Sequence, residues 1–235
     1  MTATQVSAPP DKSPYYQSSS LPLASWLSLY VRRKIFQIFM DAFHPMATTS
    51  VLDVGVTSDF TYPQSNLFER LYPYPSQITC VGTEDGSHLM QEYPGLRYIP
   101  VISGQPLPFK DRQFDIVFSN AVLEHVGSRG EQARFVAELR RVSKAFFVTT
   151  PNRWFPIEFH TQLPLVHWLP TPVCRAVMRR LGYGFFAEED NLNLLSAGRL
   201  REAVAGIAGW RFEIITAKLL GWPSNLLLFG YRDGP

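Results

Sequence analysis

Asp53 and Gly55 stand two residues apart at the end of an apolar run, residues 50–54 (SVLDV). In open α/β sheets, ligands bind outside the carboxyl ends of the strands. A glycine placed there lets the backbone come close to a ligand. By itself the Asp-x-Gly pair is weak, because any strand running into a turn can show it. A second apolar run, 78–82 (ITCVG), leads to Glu84. An acid at such a strand end can accept hydrogen bonds from both hydroxyls of a ribose. Asp85 is the neighbouring alternative, and Glu84 is preferred because it follows Gly82-Thr83 in strand-end register. The plain alternative for either acid is an exposed carboxylate in a turn.

These residues need elements to position them. Residues 24–43 place Trp26, Leu29, Ile35, Phe36, Phe39 and Phe43 at helical steps, and a helix is expected there. Residues 63–71 read as a second helix. Residues 96–101 and 114–119 (FDIVFS) read as further strands, with a turn at 111–113. Residues 130–142 read as a helix with Phe135, Leu139 and Val142 on one side, and 144–150 (KAFFVTT) as a strand stopped by Pro151. Strands alternating with helices at this spacing argue a parallel sheet covered on both faces. Ser196 is the expected N-cap of a helix over 197–206. The runs 210–219 and 225–231, joined by Gly221-Trp222-Pro223, read as an antiparallel pair.

Composition bounds the class. The chain has 235 residues, 46% hydrophobic, 14% aromatic and only 18% charged, with 19 prolines. That excludes a disordered or highly charged chain and suits one α/β domain with a modest cap. A net charge of +2 is too balanced for an electrostatic nucleic-acid binder. Cys80 and Cys174 have no metal-ligand spacing and read as buried free thiols in a reducing, cytoplasmic setting. Residues 1–20 are polar and Ser/Pro-rich, and read as a disordered tail ahead of a domain over 21–235.

The stretch 103–126 (SGQPLPFKDRQFDIVFSNAVLEHV) makes the pattern specific. LPF followed by FDIVFSNAVLEHV resembles the class I S-adenosylmethionine-dependent methyltransferases, in particular the type 11 small-molecule group. VLDVG, the acidic second-strand end and RRVSKAFFVTTPN fit the same family in order, over roughly 30–150. The resemblance implies a Rossmann-like, seven-stranded, mostly parallel sheet with helices on both faces and an antiparallel C-terminal hairpin. It implies S-adenosylmethionine as cofactor. Asp53 and Gly55 match the segment near its methionine portion, and Glu84 the ribose-binding acid. Ser103 and Gly104 match the segment near adenine. Asn120 and Ala121 match the fourth-strand end facing the sulfonium, and His125 the histidine of a Leu-x-His signature.

Two departures stand out. The usual Asp-x-Gly-x-Gly-x-Gly loop reads Asp53-Val-Gly55-Val-Thr57-Ser-Asp59 here. The Thr57 and Ser58 hydroxyls are expected to replace backbone contacts to the cofactor carboxylate, and Asp59 suits an ammonium or sulfonium. Ser103 stands where an aspartate usually meets the adenine amine. These losses keep a non-catalytic methyltransferase-like binding domain in view.

Methyl transfer from a sulfonium is an in-line displacement that needs proximity and exclusion of water. A base is needed only for an acceptor that still holds its proton. His125, Glu158, His160 and His167 are the candidates, with His160 and His125 taken as the catalytic pair. For each histidine a structural role is the commoner one. The segment 150–170 (TPNRWFPIEFHTQLPLVHWLP) resembles a subgroup of bacterial type 11 enzymes associated with polysaccharide and glycan gene clusters. It follows the fifth strand, so 151–195 is expected to form a substrate lid. Its Trp154, Phe155, Phe159 and Trp168 either pack the lid or face an apolar acceptor. Arg175, Arg179 and Arg180 either meet phosphate or form a solvated helix face. The expected reaction is O-methylation of a small molecule or glycan-type acceptor. A lipid or quinone methyltransferase in peripheral membrane contact is the rival enzyme reading.

Overall fold

The computed structural model describes residues 22–59 and 62–233. The expected tail at 1–20 lies outside them. Seven strands form one sheet: β1 (Val51–Val54), β2 (Ile78–Gly82), β3 (Arg97–Pro100), β4 (Phe114–Asn120), β5 (Ser143–Pro151), β6 (Trp210–Leu219) and β7 (Trp222–Arg232). Their order is β3-β2-β1-β4-β5-β7-β6. β1 to β5 pair in parallel, and β7 runs antiparallel between β5 and β6. This is the expected mostly parallel sheet with its C-terminal hairpin.

Alternation along the strands splits the core in two. Val51, Phe118, Phe147 and Leu227 join one cluster with Val31, Ile35 and Phe39 of α1 (Pro22–Phe43) and Phe68 of α2 (Leu67–Leu71). Leu89 of the short α3 (Leu89–Glu92) lies in the same cluster. Leu52, Val117, Val148 and Leu228 join the other, with Val136 and Leu139 of α4 (Arg129–Val142) and Leu200 of α6 (Ala197–Val204). Ser128 and Glu131 close a capping box on α4, which fixes where that helix begins. Ser196 caps α6 as expected, accepting from the Arg199 N–H.

Two boundaries and one buried face differ from the sequence reading, each for a local reason. The second helix begins at Leu67 rather than 63, because Asn66 sits at φ 47° and spends its side chain on the β1 loop. The last hairpin turns on Leu220-Gly221, both at positive φ, so Trp222 and Pro223 belong to β7. Pro223 is tolerated near the strand start, beside a register shift at Ala217/Lys218. Trp26 is not on the buried stripe of α1: it is 61% exposed and stacks on Tyr30.

Residues 152–195 carry α5 (Thr171–Arg180) between short turns and build a third, small core from Cys174, Met178, Phe186, Ala187, Leu192 and Leu194. Asn152 anchors this segment to β7 through bonds to the Pro223 and Ser224 carbonyls. Arg175 and Arg179 pair with Glu189 and Glu188, a solvated face rather than a phosphate site. Both cysteines are free and buried, as expected.

One buried polar pair sits where β1 meets α2. The carboxyl groups of Asp53 and Glu69 are buried close to one another. Burial first, and then the Glu69 charge, hold Asp53 well above the usual carboxylate range. The Cys80 thiol donates to Glu69 Oε1 at 3.2 Å.

Phe39 is fully buried and meets Phe68, Phe118 and Phe147 edge-on at 5.3–5.8 Å. Phe39→Ala is expected to lower urea-measured stability by about 3–5 kcal/mol. The raised Asp53 pKa means that the folded state holds the extra proton, so stability falls as pH rises through the folded value. Glu69→Gln removes the neighbouring charge that helps to hold the Asp53 pKa up. Denaturation midpoints across pH should then show a flatter profile and a gain of about 1–3 kcal/mol on the alkaline side.

Candidate active site

A cleft of about 1280 Å³ opens over the carboxyl ends of β1, β2 and β4. Sites for one small ligand span roughly 300–1,000 Å³, so this one has room for two molecules side by side. Asp53, Gly55, Thr57 and Glu84 line it from the tips of β1 and β2. Ser103 and Gly104 line it beyond β3, and Asn120 and Ala121 at the tip of β4. The strand-end register therefore brings every expected cofactor-facing residue to one place.

The tips of β1 and β4 touch. Gly55 has φ 104°, and a Cβ there would lie 2.1 Å from the Val122 side chain, so only glycine fits. Among residues 55–59 it alone takes positive φ, so the loop follows a path that needs no further glycine. Asn66 clamps that path, accepting from the Thr57 N–H and donating to the Thr57 carbonyl. The Thr57 hydroxyl, Ser58 hydroxyl and Ser58 N–H all donate to Glu84 Oε2, at 3.1, 2.8 and 3.1 Å. The two hydroxyls thus tie the β1 loop to the β2 tip, instead of reaching for a cofactor carboxylate. Asp59 is likewise spent locally, accepting from the Ser65 hydroxyl and the Tyr62 N–H, and it does not line the cleft.

The other end of the cleft holds both expected histidines. His125 and His160 meet edge to face with their Nε2 atoms 3.1 Å apart. His125 Nδ1–H donates to the Asn191 carbonyl at 2.7 Å, which leaves its Nε2 as the acceptor. His160 Nδ1–H donates to Glu158 Oε1 at 2.6 Å, and its Nε2–H points at His125. Burial, and then the His160 charge, push His125 down to about 3. Burial opposes charge on His160 and Glu158 too, but their mutual attraction and hydrogen bond win. His160 is raised and Glu158 held at about 2. One proton therefore rests on His160, between a buried carboxylate and a neutral imidazole.

Glu158 and His160 would diverge on a strand. They converge here because residues 157–164 close into a turn, with an Ile157–Pro164 bridge and the Glu158 carboxylate accepting from the His160 and Thr161 N–H groups. His167 stays apart: it is buried and donates to the Phe155 carbonyl, a packing role. Of the lid aromatics named from sequence, Phe159 lines the cleft and stacks on Phe155, while Trp154 and Trp168 pair with each other away from it.

Two cleft residues escaped the sequence reading. Glu124 is fully buried beneath His125 and accepts from the Thr150 hydroxyl at 2.9 Å. Burial raises its pKa. Its adjacency to His125 was the available signal. Arg32 of α1 lines the cleft, donates to the Gln64 carbonyl, and its charge is felt at Asp53, Glu124 and His160. Nothing in the spacing of the first helix marks it.

Among the described residues, no helix is long and apolar enough to cross a membrane. Residues 67–145 match the model of a family described as a methyltransferase domain, Methyltransf_11. No curated protein sequence matches the chain. Solved structures share its fold at low identity. YcgJ from Bacillus subtilis is 14% identical at TM-score 0.56, covering 86% of this chain and 100% of that one. A SAM-dependent methyltransferase from Aquifex aeolicus is 13% identical at TM-score 0.55, covering 88% and 92%. The 1,6-didemethyltoxoflavin-N1-methyltransferase of Burkholderia thailandensis, solved with S-adenosylhomocysteine, is 12% identical at TM-score 0.55, covering 89% and 81%. The segment matched by sequence supplies β2 to α4 of the sheet matched by shape, so the chain has the fold of these methyltransferases and resembles the type 11 methyltransferase domain over 67–145.

Proposed function

We propose that this chain transfers the methyl group of S-adenosylmethionine to an oxygen of a small-molecule or glycan-type acceptor. The observation that carries the reading is one cleft with two chemically different ends. The strand tips of β1, β2 and β4 line one end, and the histidine pair with Phe159 lines the other.

The residues present fit the cofactor. Gly104 lies on the cleft at φ 76°, and a Cβ there would meet nothing within 4 Å, so the backbone is open to a flat ring. Ser103 offers that ring a neutral partner. Glu84 offers a carboxylate for the ribose hydroxyls from a tip already held by Thr57 and Ser58. Asp53, Gly55, Asn120 and Ala121 surround the space for the methionine portion, with Arg32 as a counter-charge for its carboxylate. When bound, S-adenosylmethionine supplies an electrophilic methyl on a sulfonium.

The chain does the rest by position. The lid is pinned over the β4 tip by the Asn193 N–H on the Glu124 carbonyl, and by Gln132 donating to the Leu123 and Asn193 carbonyls. It carries His160 and Phe159 to the cleft and screens it from water. An acceptor hydroxyl must shed its proton as the O–C bond forms, and the His125–His160 pair is the polar group set against that oxygen.

Calorimetric titration with S-adenosylmethionine should give a one-site isotherm, and absence of binding would sink the reading in favour of a non-catalytic domain. Glu84→Ala should weaken that binding by about 1–3 kcal/mol, the range for charged hydrogen bonds. Unchanged affinity would remove Glu84 from the ribose role. His125→Ala and His160→Ala should each lower turnover on a hydroxyl acceptor by about 10²–10⁴-fold, with cofactor affinity kept.

A further inference from the structure

We propose that Glu124, His125 and His160 form a binding site for a single divalent transition-metal ion at the acceptor end of the cleft. The inference goes beyond methyl transfer and does not depend on it.

The ligand atoms are Glu124 Oε1, His125 Nε2 and His160 Nε2, all within 4.8 Å of one another. Two ligand atoms at ~2.1 Å from one ion lie ~3.0 Å apart at right angles and ~4.2 Å apart when opposed. The two Nε2 atoms are 3.1 Å apart, and His125 Nε2 lies 3.9 Å from Glu124 Oε1. Small side-chain shifts close the set around one centre.

The outer atoms make the stronger case. A metal-bound histidine usually donates its other ring N–H to a carboxylate or a backbone carbonyl, which fixes the tautomer and aims the lone pair. Both histidines do this: His125 Nδ1 to the Asn191 carbonyl, and His160 Nδ1 to Glu158 Oε1. The second carboxylate oxygen of Glu124 is held by the Thr150 hydroxyl. Each proposed ligand is thus oriented by a partner on its far side, with the ligating atoms turned toward one another, and the ion would replace the proton now held between the two Nε2 atoms.

An independent observation points to a missing partner. Glu124 is 0% exposed, and its Oε1 is buried with no hydrogen bond. A carboxylate oxygen left so costs free energy that a cation would remove. The nearby Arg32 charge opposes a cation, and the carboxylates of Glu124 and Glu158 outnumber it. Two imidazoles and one carboxylate with open positions on a cleft suit zinc, iron, cobalt or manganese rather than calcium or magnesium. An acceptor hydroxyl could fill an open position.

The test uses tag-free full-length protein, stripped with chelator and titrated with Zn(II) and Co(II) alone. One ion per chain retained through gel filtration is expected, with a Co(II) ligand-field band. His125→Ala and His160→Ala should abolish uptake, and Glu158→Gln should weaken it by about 10–100-fold. Imidazole ¹⁵N spectra of the wild type serve if a variant fails to fold: Zn(II) should shift the Nε2 signals of His125 and His160 and leave their Nδ1–H protons in place. No stoichiometric uptake by the wild type would overturn the proposal. So would uptake that survives both histidine variants, or shifts confined to His44, His88 and His167. Calorimetry with S-adenosylmethionine reports separately on the methyltransferase reading.

Discussion

The reversal of strand order at β1 is the constraint on which this molecule rests. β2 and β3 lie on one side of β1, and β4 and β5 on the other. The chain therefore leaves the tips of β1 and β4 in opposite directions, and no connection covers the gap between them. The cleft is that gap. Gly55 packed against Val122 forms its floor, and a side chain at position 55 would push the two tips apart.

Around that gap, polar groups are held by one another before any ligand arrives. Glu84 gathers Thr57 and Ser58, and Asn66 grips the Thr57 backbone. This network does in side-chain hydrogen bonds what glycines do by conformational freedom in the usual loop. The two solutions differ in kind. A glycine loop approaches its ligand closely but is entropically costly to order, whereas this loop is ordered by bonds that occupy its own hydroxyls.

The second device is the segment 152–195. Cys174, Met178, Phe186 and leucines pack it into a small core of its own, and Asn152 and Asn193 pin it at its two ends. Only then does His160 reach His125, and only then does the Asn191 carbonyl orient His125. The acceptor end of the cleft is therefore built by packing remote from it. A substitution in the lid core would disturb the histidine pair without touching it.

The sequence by itself determined the sheet, its strand order through family resemblance, and the strand-tip residues. Short continuous apolar runs mark strands buried on both faces, and an acid or glycine just past such a run sits at the tip. Asp53, Gly55 and Glu84 were legible for that reason, Asn120 and Ala121 through the family resemblance, and all line the cleft. The partners of those residues were not legible. Nothing local says that the Thr57 and Ser58 hydroxyls turn to Glu84, that Glu69 is buried beside Asp53, or that Arg32 on the first helix faces the same space. The contact of His160 with His125 spans 35 residues, and that of His125 with Asn191 spans 66. Sequence periodicity reports which side of an element is buried, and is silent on which distant segment buries it. That choice was made by the tertiary structure, where the lid core and its asparagine anchors fix one docking of 152–195 on the sheet.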